Sequence, residues 1–196
     1  MSSIILFGGT FDPIHMGHLI LAEYAAEFVK AKKVLFIPCY KPPHKLKYEP
    51  VHWKHRLNMV KLAVNGISKF EVSDFEIKRK EISYTYVTVD WFSKVYKADD
   101  LYFLIGFDSL LSLHTWQNWE KIIQKVKFLV GERMVDKSKM GLLPSKIYNK
   151  VIFFDSPIIE ISSTEIRERL KKSLSIKYLV PEEVEKYILR HGLYKK

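Results

Sequence analysis

The sequence predicts an α/β fold in which a doubly wound parallel sheet carries helices on both faces. Two observations predict it. Short apolar runs alternate along the chain with longer amphipathic stretches. The first apolar run, Ser3 to Phe7, leads straight into Gly8, Gly9 and Thr10 and then into a helical stretch. Strand–helix–strand repetition implies parallel pairing, because each crossover lays a helix on one face of the sheet. In such sheets ligands sit beyond the carboxyl ends of the strands, near a switch in strand order.

In order, Ser3 to Phe7 reads as a buried strand, and Met16 to Lys30 as a helix with Leu19, Ala22, Ala26 and Val29 on one face. Lys33 to Ile37 is a second strand, closed by Pro38. Val51 to Val64 is a helix with Leu57, Val60 and Val64 inward, and Phe70 to Ile77 alternates like a partly exposed strand. Tyr86 to Val95 is rich in strand formers, but Val89, Phe92 and Tyr96 keep a three-to-four spacing and predict a helix. Asp100 to Ile105 is a strand, Trp119 to Lys125 a helix, and Val126 to Val130 and Val151 to Phe154 the last strands. Ser162 to Lys172 and Pro181 to His191 are the closing helices. Pro181 suits a helix start, Glu182 and Glu183 suit its positive end, and Gly192 stops it. The order is that of a Rossmann-like sheet.

The chain has 196 residues, of which 47% are hydrophobic, enough for one full core. A single domain over residues 1–196 is expected, with 162–196 as its helical C-terminal part. Ile4 to Phe7 is too short for a signal peptide or membrane span, and no later apolar run approaches about 18 residues. A cytoplasmic location is the default expectation. The single cysteine, Cys39, excludes an internal disulfide and a Cys-rich zinc site. The net charge of +10 fits anionic partners, although the lysines are spread out, and only Lys78, Arg79 and Lys80 make a three-residue basic run. Much of this excess reads equally well as a solvated surface.

Gly8, Gly9 and Thr10 follow the first strand. Glycine permits a sharp turn and leaves no Cβ between the amides and a ligand. The helix start behind it offers unpaired N–H groups and partial positive charge, favourable for phosphate. A tight turn with no ligand would look the same, and neither G-x-G-x-x-G nor the P-loop pattern occurs in the chain. His15 and His18 then fall on one helix face, with Gly17 between them removing bulk. A metal site with Asp12 as third ligand is conceivable, but two imidazoles donating to phosphate oxygens use the glycines and the histidines together.

GGTFDPIHMGH, Gly8 to His18, resembles the G-x-F-D-x-x-H-x-G-H signature of the nucleotidyltransferase superfamily. That group includes bacterial nicotinate-mononucleotide adenylyltransferases, phosphopantetheine adenylyltransferases and cytidylyltransferases. Further segments resemble the first of these. CYKPPHK, Cys39 to Lys45, follows strand two, and its prolines stiffen a loop that presents His44 and Lys45. Ser83, Tyr84 and Thr85 resemble the S-Y-T segment at the nicotinate carboxylate; alone, Ser83 or Thr85 would serve as a helix cap. Gly106 and Asp108 resemble the I-G-x-D element beside the ATP ribose; alone, Asp108 would serve as an N-cap. Trp116 resembles the tryptophan stacked on the pyridine ring; alone, it reads as a core residue. ISSTEIR, Ile161 to Arg167, resembles I-S-S-T-x-I-R, a triphosphate clamp of helix dipole, hydroxyls and guanidinium. The tail from Tyr178 to Tyr194 resembles the family's closing helix. Two departures stand out: Phe107 replaces a small residue, and GERMVDKSKMG replaces an Arg-Pro-Gly turn, leaving Arg133 as a candidate for its role.

The resemblance implies transfer of AMP from ATP to nicotinate mononucleotide, with release of pyrophosphate and no protein nucleophile. It implies catalytic roles for His15, His18, Lys45 and Arg167. Gly8, Gly9, Thr10, Phe11, Gly106, Asp108, Ile161, Ser162, Ser163 and Thr164 would bind ATP. His44, Ser83, Tyr84, Thr85 and Trp116 would bind the mononucleotide. Mg²⁺ would arrive with ATP, with no dedicated metal ligands and Asp12 at most in indirect contact. The expected partners are ATP and nicotinate mononucleotide, not nucleic acid or membrane, and a homo-oligomer is allowed. Another adenylyl- or cytidylyltransferase of the phosphopantetheine type, a basic RNA-binding module and a nucleotide-binding regulator are the competing readings.

Overall fold

Residues 2–43, 49–97, 100–131 and 143–195 of the computed structural model are described here. Among them six strands form one sheet: β1 (Ser3–Gly9), β2 (Ala31–Pro38), β3 (Phe70–Val72), β4 (Asp100–Ile105), β5 (Lys127–Gly131) and β6 (Val151–Phe154). Their order is β3-β2-β1-β4-β5-β6, and every pair is parallel. The chain winds outward from β1 to β3, then crosses back to β4 on the other side of β1. The switch in strand order therefore lies between β1 and β4, where Leu6 pairs with Phe103. Gly8 and Gly9 run on beyond that pairing, and Gly106 directly follows β4.

Alternation along β1 divides the core. Ile5 and Phe7 join one apolar cluster with Ala22 and Ala26 of α1 (Met16–Phe28) and with Met59 and Val60 of α2 (Trp53–Val64). Ile4 and Leu6 join the opposite cluster, with Val89 and Phe92 of α4 (Thr85–Val95) and Ile122 of α6 (Trp119–Ile123). On α1 and α4 the contacting residues are three or four apart, as the spacing predicts. The last helices, α8 (Ser163–Lys171) and α9 (Glu182–Arg190), pack Ile166, Val184 and Ile188 onto the first cluster. Gly192 follows α9 at φ +58°, the left-handed turn that ends it.

The stretch read as one strand, Phe70 to Ile77, is two elements. β3 ends at Val72, and α3 (Phe75–Arg79) begins after Asp74. Ser73 Oγ accepts the Phe75 N–H at 3.3 Å, and Lys78 pairs with Asp74 at 3.0 Å across one helical turn. Those polar contacts override the alternation. Two short helices were not foreseen: α5 (Phe107–Leu111), after β4, and α7 (Ser145–Tyr148). Both are about a single turn, too short for an amphipathic period to register.

The loop after β1 is fastened from below. Arg56 on α2 is buried, at 2% exposure. Its guanidinium donates to the carbonyls of Thr10 at 2.8 Å, Tyr40 at 3.0 Å and Val51 at 3.1 Å. One side chain thus ties the end of β1 to the end of β2 and to the approach to α2. Replacing it by Met leaves three carbonyls without donors. Arg56→Met should cost about 3–5 kcal/mol, seen as a lower urea midpoint at unchanged slope.

Candidate active site

A cleft of about 990 Å³ opens over the β1–β4 switch point. Gly8, Gly9, Thr10, His15 and His18 line its centre, with Gly106 and Asp108 opposite. One end is built from the β2–β3 side: Pro42, Pro43, Glu76, Ser83, Tyr84 and Thr85, with Trp116. The other end is built from the β5–β6 side: Leu21, Gly131, Ile158, Glu160 and Ile161 to Ser163. The sheet order thus gives the cleft two arms and a polar centre.

Helix N-termini converge on this centre. His15 is the N-cap of α1, Tyr84 of α4, Gly106 of α5 and Ser162 of α8. Neither α1 nor α4 has an acidic residue in its first turn, so their partial positive charge is left for a ligand. The β1 glycines are required for packing as well: a Cβ on Gly9 would lie 3.1 Å from the Phe11 ring, and one on Gly8 3.1 Å from Phe103. Gly106 differs, because a Cβ there would meet nothing within 4 Å and would stand in the cleft.

The two histidines form one unit. Their ring centroids are 3.7 Å apart, and both rings line the cleft although His15 is buried. His18 Nδ1 accepts the backbone N–H of His15 at 3.2 Å. That contact makes Nε2 the protonated, donating nitrogen of the neutral ring. A Cβ on Gly17 would come within 3.1 Å of His15 Nδ1, so glycine there leaves the first ring its place.

Behind the wall, a second group of contacts holds the same loop. Arg167 is buried and does not line the cleft; its guanidinium donates to the Asp12 carbonyl at 2.8 Å and to Thr164 Oγ1 at 3.1 Å. Ser163 Oγ donates to the Pro13 carbonyl at 2.8 Å, across a chain separation of 150. Tyr194 OH donates to Asp12 Oδ1 at 2.7 Å. Phe11, at φ +49° and 3% exposure, belongs to this buried layer, as does Thr164 through its bond to Arg167. The positions read from the sequence as a triphosphate clamp therefore divide. Ile161, Ser162 and Ser163 reach the cleft, whereas Thr164, Arg167 and Phe11 support it from behind. Asp12 is likewise support: it is 2% exposed, and burial pushes its carboxyl above the usual range against the opposing pull of Tyr194, Arg167 and Arg56.

At the β3-side arm, Ser83 Oγ accepts the Tyr40 N–H at 2.9 Å, and Tyr84 rather than Ser83 or Thr85 caps α4. Trp116 is half-buried, standing edge-on to Phe103 with centroids 6.3 Å apart. Asp108 is exposed in the first turn of α5, with Gly106 as the cap, so it is not the N-cap that its position alone would suggest. Phe107, large where a small residue was expected, is buried at the cleft floor. His44, Lys45 and Arg133 lie outside the described residues.

Sequence reasoning passed over Arg56, Glu76 and Tyr194. Arg56 carried a signal: with Met59, Val60 and Ala63 it shares the buried face of α2, an unusual place for a charge. Glu76 carried none, because its stretch read as a strand. Asp12 has a raised pKa, so it favours folding in the protonated state, and that contribution is lost as pH rises through its folded value. Tyr194→Phe removes a donor that lowers this pKa and so raises it further. The variant should lose about 1–3 kcal/mol at pH ~7 and less at pH ~4, read from denaturant titrations at both pH values.

Residues 6–169 match the cytidylyltransferase-like family. A protein of Clostridium tetani named probable nicotinate-nucleotide adenylyltransferase is 41% identical, with 100% of each chain covered. A protein of Dictyoglomus thermophilum with the same name is 44% identical, covering 96% of this chain and 97% of the relative. Among solved structures, the Plasmodium falciparum nicotinic acid mononucleotide adenylyltransferase complexed with NaAD superposes with a TM-score of 0.82. It covers 99% of this chain and 98% of its own at 23% identity, a likeness of fold.

Proposed function

The chain belongs to the nicotinate-nucleotide adenylyltransferases, within the cytidylyltransferase-like family, and from that premise we propose how its residues divide the work. The enzyme transfers AMP from ATP to nicotinate mononucleotide, giving deamido-NAD and pyrophosphate in NAD biosynthesis. The observation that carries the reading is the two-armed cleft centred on His15, His18 and several helix N-termini. Two nucleotides laid end to end would put their phosphates at that centre.

The mononucleotide phosphate attacks the α-phosphorus of ATP in line, and pyrophosphate leaves. Both reactants are anions, so the chief tasks are to hold them together and to absorb charge on the leaving oxygens. Gly8, Gly9 and Thr10 and the α1 N-terminus receive the triphosphate, and His15 and His18 donate to it. The Nε2 proton of His18 is the best defined of these donors, being set by the backbone contact at Nδ1. Ile161, Ser162 and Ser163 at the start of α8 contribute further donors, and Gly106 and Asp108 meet the ATP ribose. Arg167 and Thr164 act through the Asp12–Pro13 loop, and Phe11 through its packing against Gly9. By the resemblance of CYKPPHK, Lys45 would hold phosphate and His44 would bind the mononucleotide.

The arm with Ser83, Tyr84, Thr85 and Trp116 takes the mononucleotide: the α4 N-terminus suits the pyridine carboxylate, and Trp116 offers a ring to stack on it. Mg²⁺ enters as part of the ATP substrate; the described residues include no group of three His, Cys, Asp or Glu side chains suited to hold it. No described helix is long and apolar enough to cross a membrane, and a cytoplasmic site of action belongs to the same proposal.

His18→Ala should lower kcat by about 10²–10³ with the fold retained, the scale of losing one transition-state donor. Steady-state kinetics beside a circular dichroism spectrum measures this, and near-normal turnover would refute the role. Trp116→Ala should raise KM for nicotinate mononucleotide more than KM for ATP, and equal changes would count against stacking.

A further inference from the structure

Glu76 stands out as a buried acid on the wall of a cleft meant for anions. It is 8% exposed, lines the β3-side arm, and makes no ion pair with any described residue. Its hydrogen-bond partner is a hydroxyl. Thr88 Oγ1, itself 1% exposed, donates to Glu76 Oε1 at 2.6 Å. Ser83 Oγ accepts the Tyr40 N–H at 2.9 Å, and its hydroxyl helps to pull the pKa of the same carboxyl down. The Ser83 N–H donates to the Lys41 carbonyl at 2.8 Å, anchoring the same turn to the end of β2.

These contacts straddle the start of α4. Ser83 precedes the helix, Thr88 lies one turn inside it, and Tyr84 and Thr85 fall between. Glu76 therefore fastens the first turn of α4 from inside through Thr88, while Ser83 anchors the start of that turn to the end of β2. We propose that Glu76 is a positioning residue for the mononucleotide, holding the Tyr84–Thr85 turn where its amides meet the anionic ring substituent. This rests on the reading that the β3-side arm is the mononucleotide site.

The chemistry of the group suits that task. A hydroxyl-bonded carboxyl holds its partner without placing a cation beside the ligand. Burial pushes its pKa up, ahead of the opposing pull of Thr88, Ser83, Arg56 and Arg79, which favours the neutral acid. Glutamine keeps the length and one acceptor, alanine keeps neither, and aspartate is one methylene too short to reach Thr88.

The test is a kinetic series on the full-length enzyme with ATP and nicotinate mononucleotide varied in turn. Glu76→Ala and Glu76→Asp should raise KM for the mononucleotide by about tenfold or more while KM for ATP changes less than about twofold. Glu76→Gln should restore the mononucleotide KM to within about threefold. Thr88→Val, nearly isosteric, covers the case in which alanine or aspartate does not fold, and should reproduce the same split more weakly. If the folded variants change both KM values together, or neither, Glu76 is structural only and the proposal falls. Trp116→Ala serves as the control for the site: if it too leaves the mononucleotide KM unmoved, the assignment of the arm has failed; if it moves and the Glu76 and Thr88 variants do not, only the positioning role has failed.

Discussion

The site depends on how the carbonyls of one loop are satisfied. Thr10, Asp12 and Pro13 turn through the switch point between β1 and α1, and their carbonyl oxygens accept from Arg56, Arg167 and Ser163. Buried carbonyls must find donors, and cationic donors make the stronger bonds. The two guanidiniums come from α2 and α8, helices far apart in sequence that pack on the same face of the sheet. Loop, helices and cleft centre consequently form one mechanical unit. The left-handed backbone at Phe11, disfavoured in isolation, is held inside that unit.

The cleft itself is an electrostatic arrangement more than a charged one. Its centre carries imidazoles, glycines and helix starts, while Arg56 and Arg167 face the loop's carbonyls. Fixed dipoles of this kind need no reorganisation when charge develops on a phosphoryl oxygen. A net charge of +10 can draw anions toward the molecule, but the geometry at the switch point is what sorts them. Two arms on opposite sides of that point follow from the strand order alone, since β2 and β3 lie to one side and β5 and β6 to the other.

Much of this was legible along the chain. The alternation of Ile4, Ile5, Leu6 and Phe7 between two cores, the helical spacing of α1, α2 and α4, and the glycine–histidine element after β1 are local patterns. Spacing put His15 and His18 side by side at the start of α1, and their ring centroids lie 3.7 Å apart. What misled was local too: the alternation over Phe70 to Ile77 suggested a strand, and the polar contacts of Ser73 and Asp74 broke it. The division of ISSTEIR into cleft-facing and loop-holding residues was invisible, because a helix start reads alike whether its arginine meets a phosphate or a carbonyl.

The sequence by itself determined the alternating order of elements, the two-sided burial of the strands and the histidine pair at the first helix start, all set by neighbours within about one or two turns. Tertiary structure alone decided that Arg56 and Arg167 serve the loop, that Tyr194 returns across a separation of 182 residues to Asp12, and that Glu76 faces Thr88 beneath the cleft wall. The reason is physical. A buried polar group is defined by the partner that satisfies it, and those partners are brought together by packing across the sheet, not by proximity along the chain.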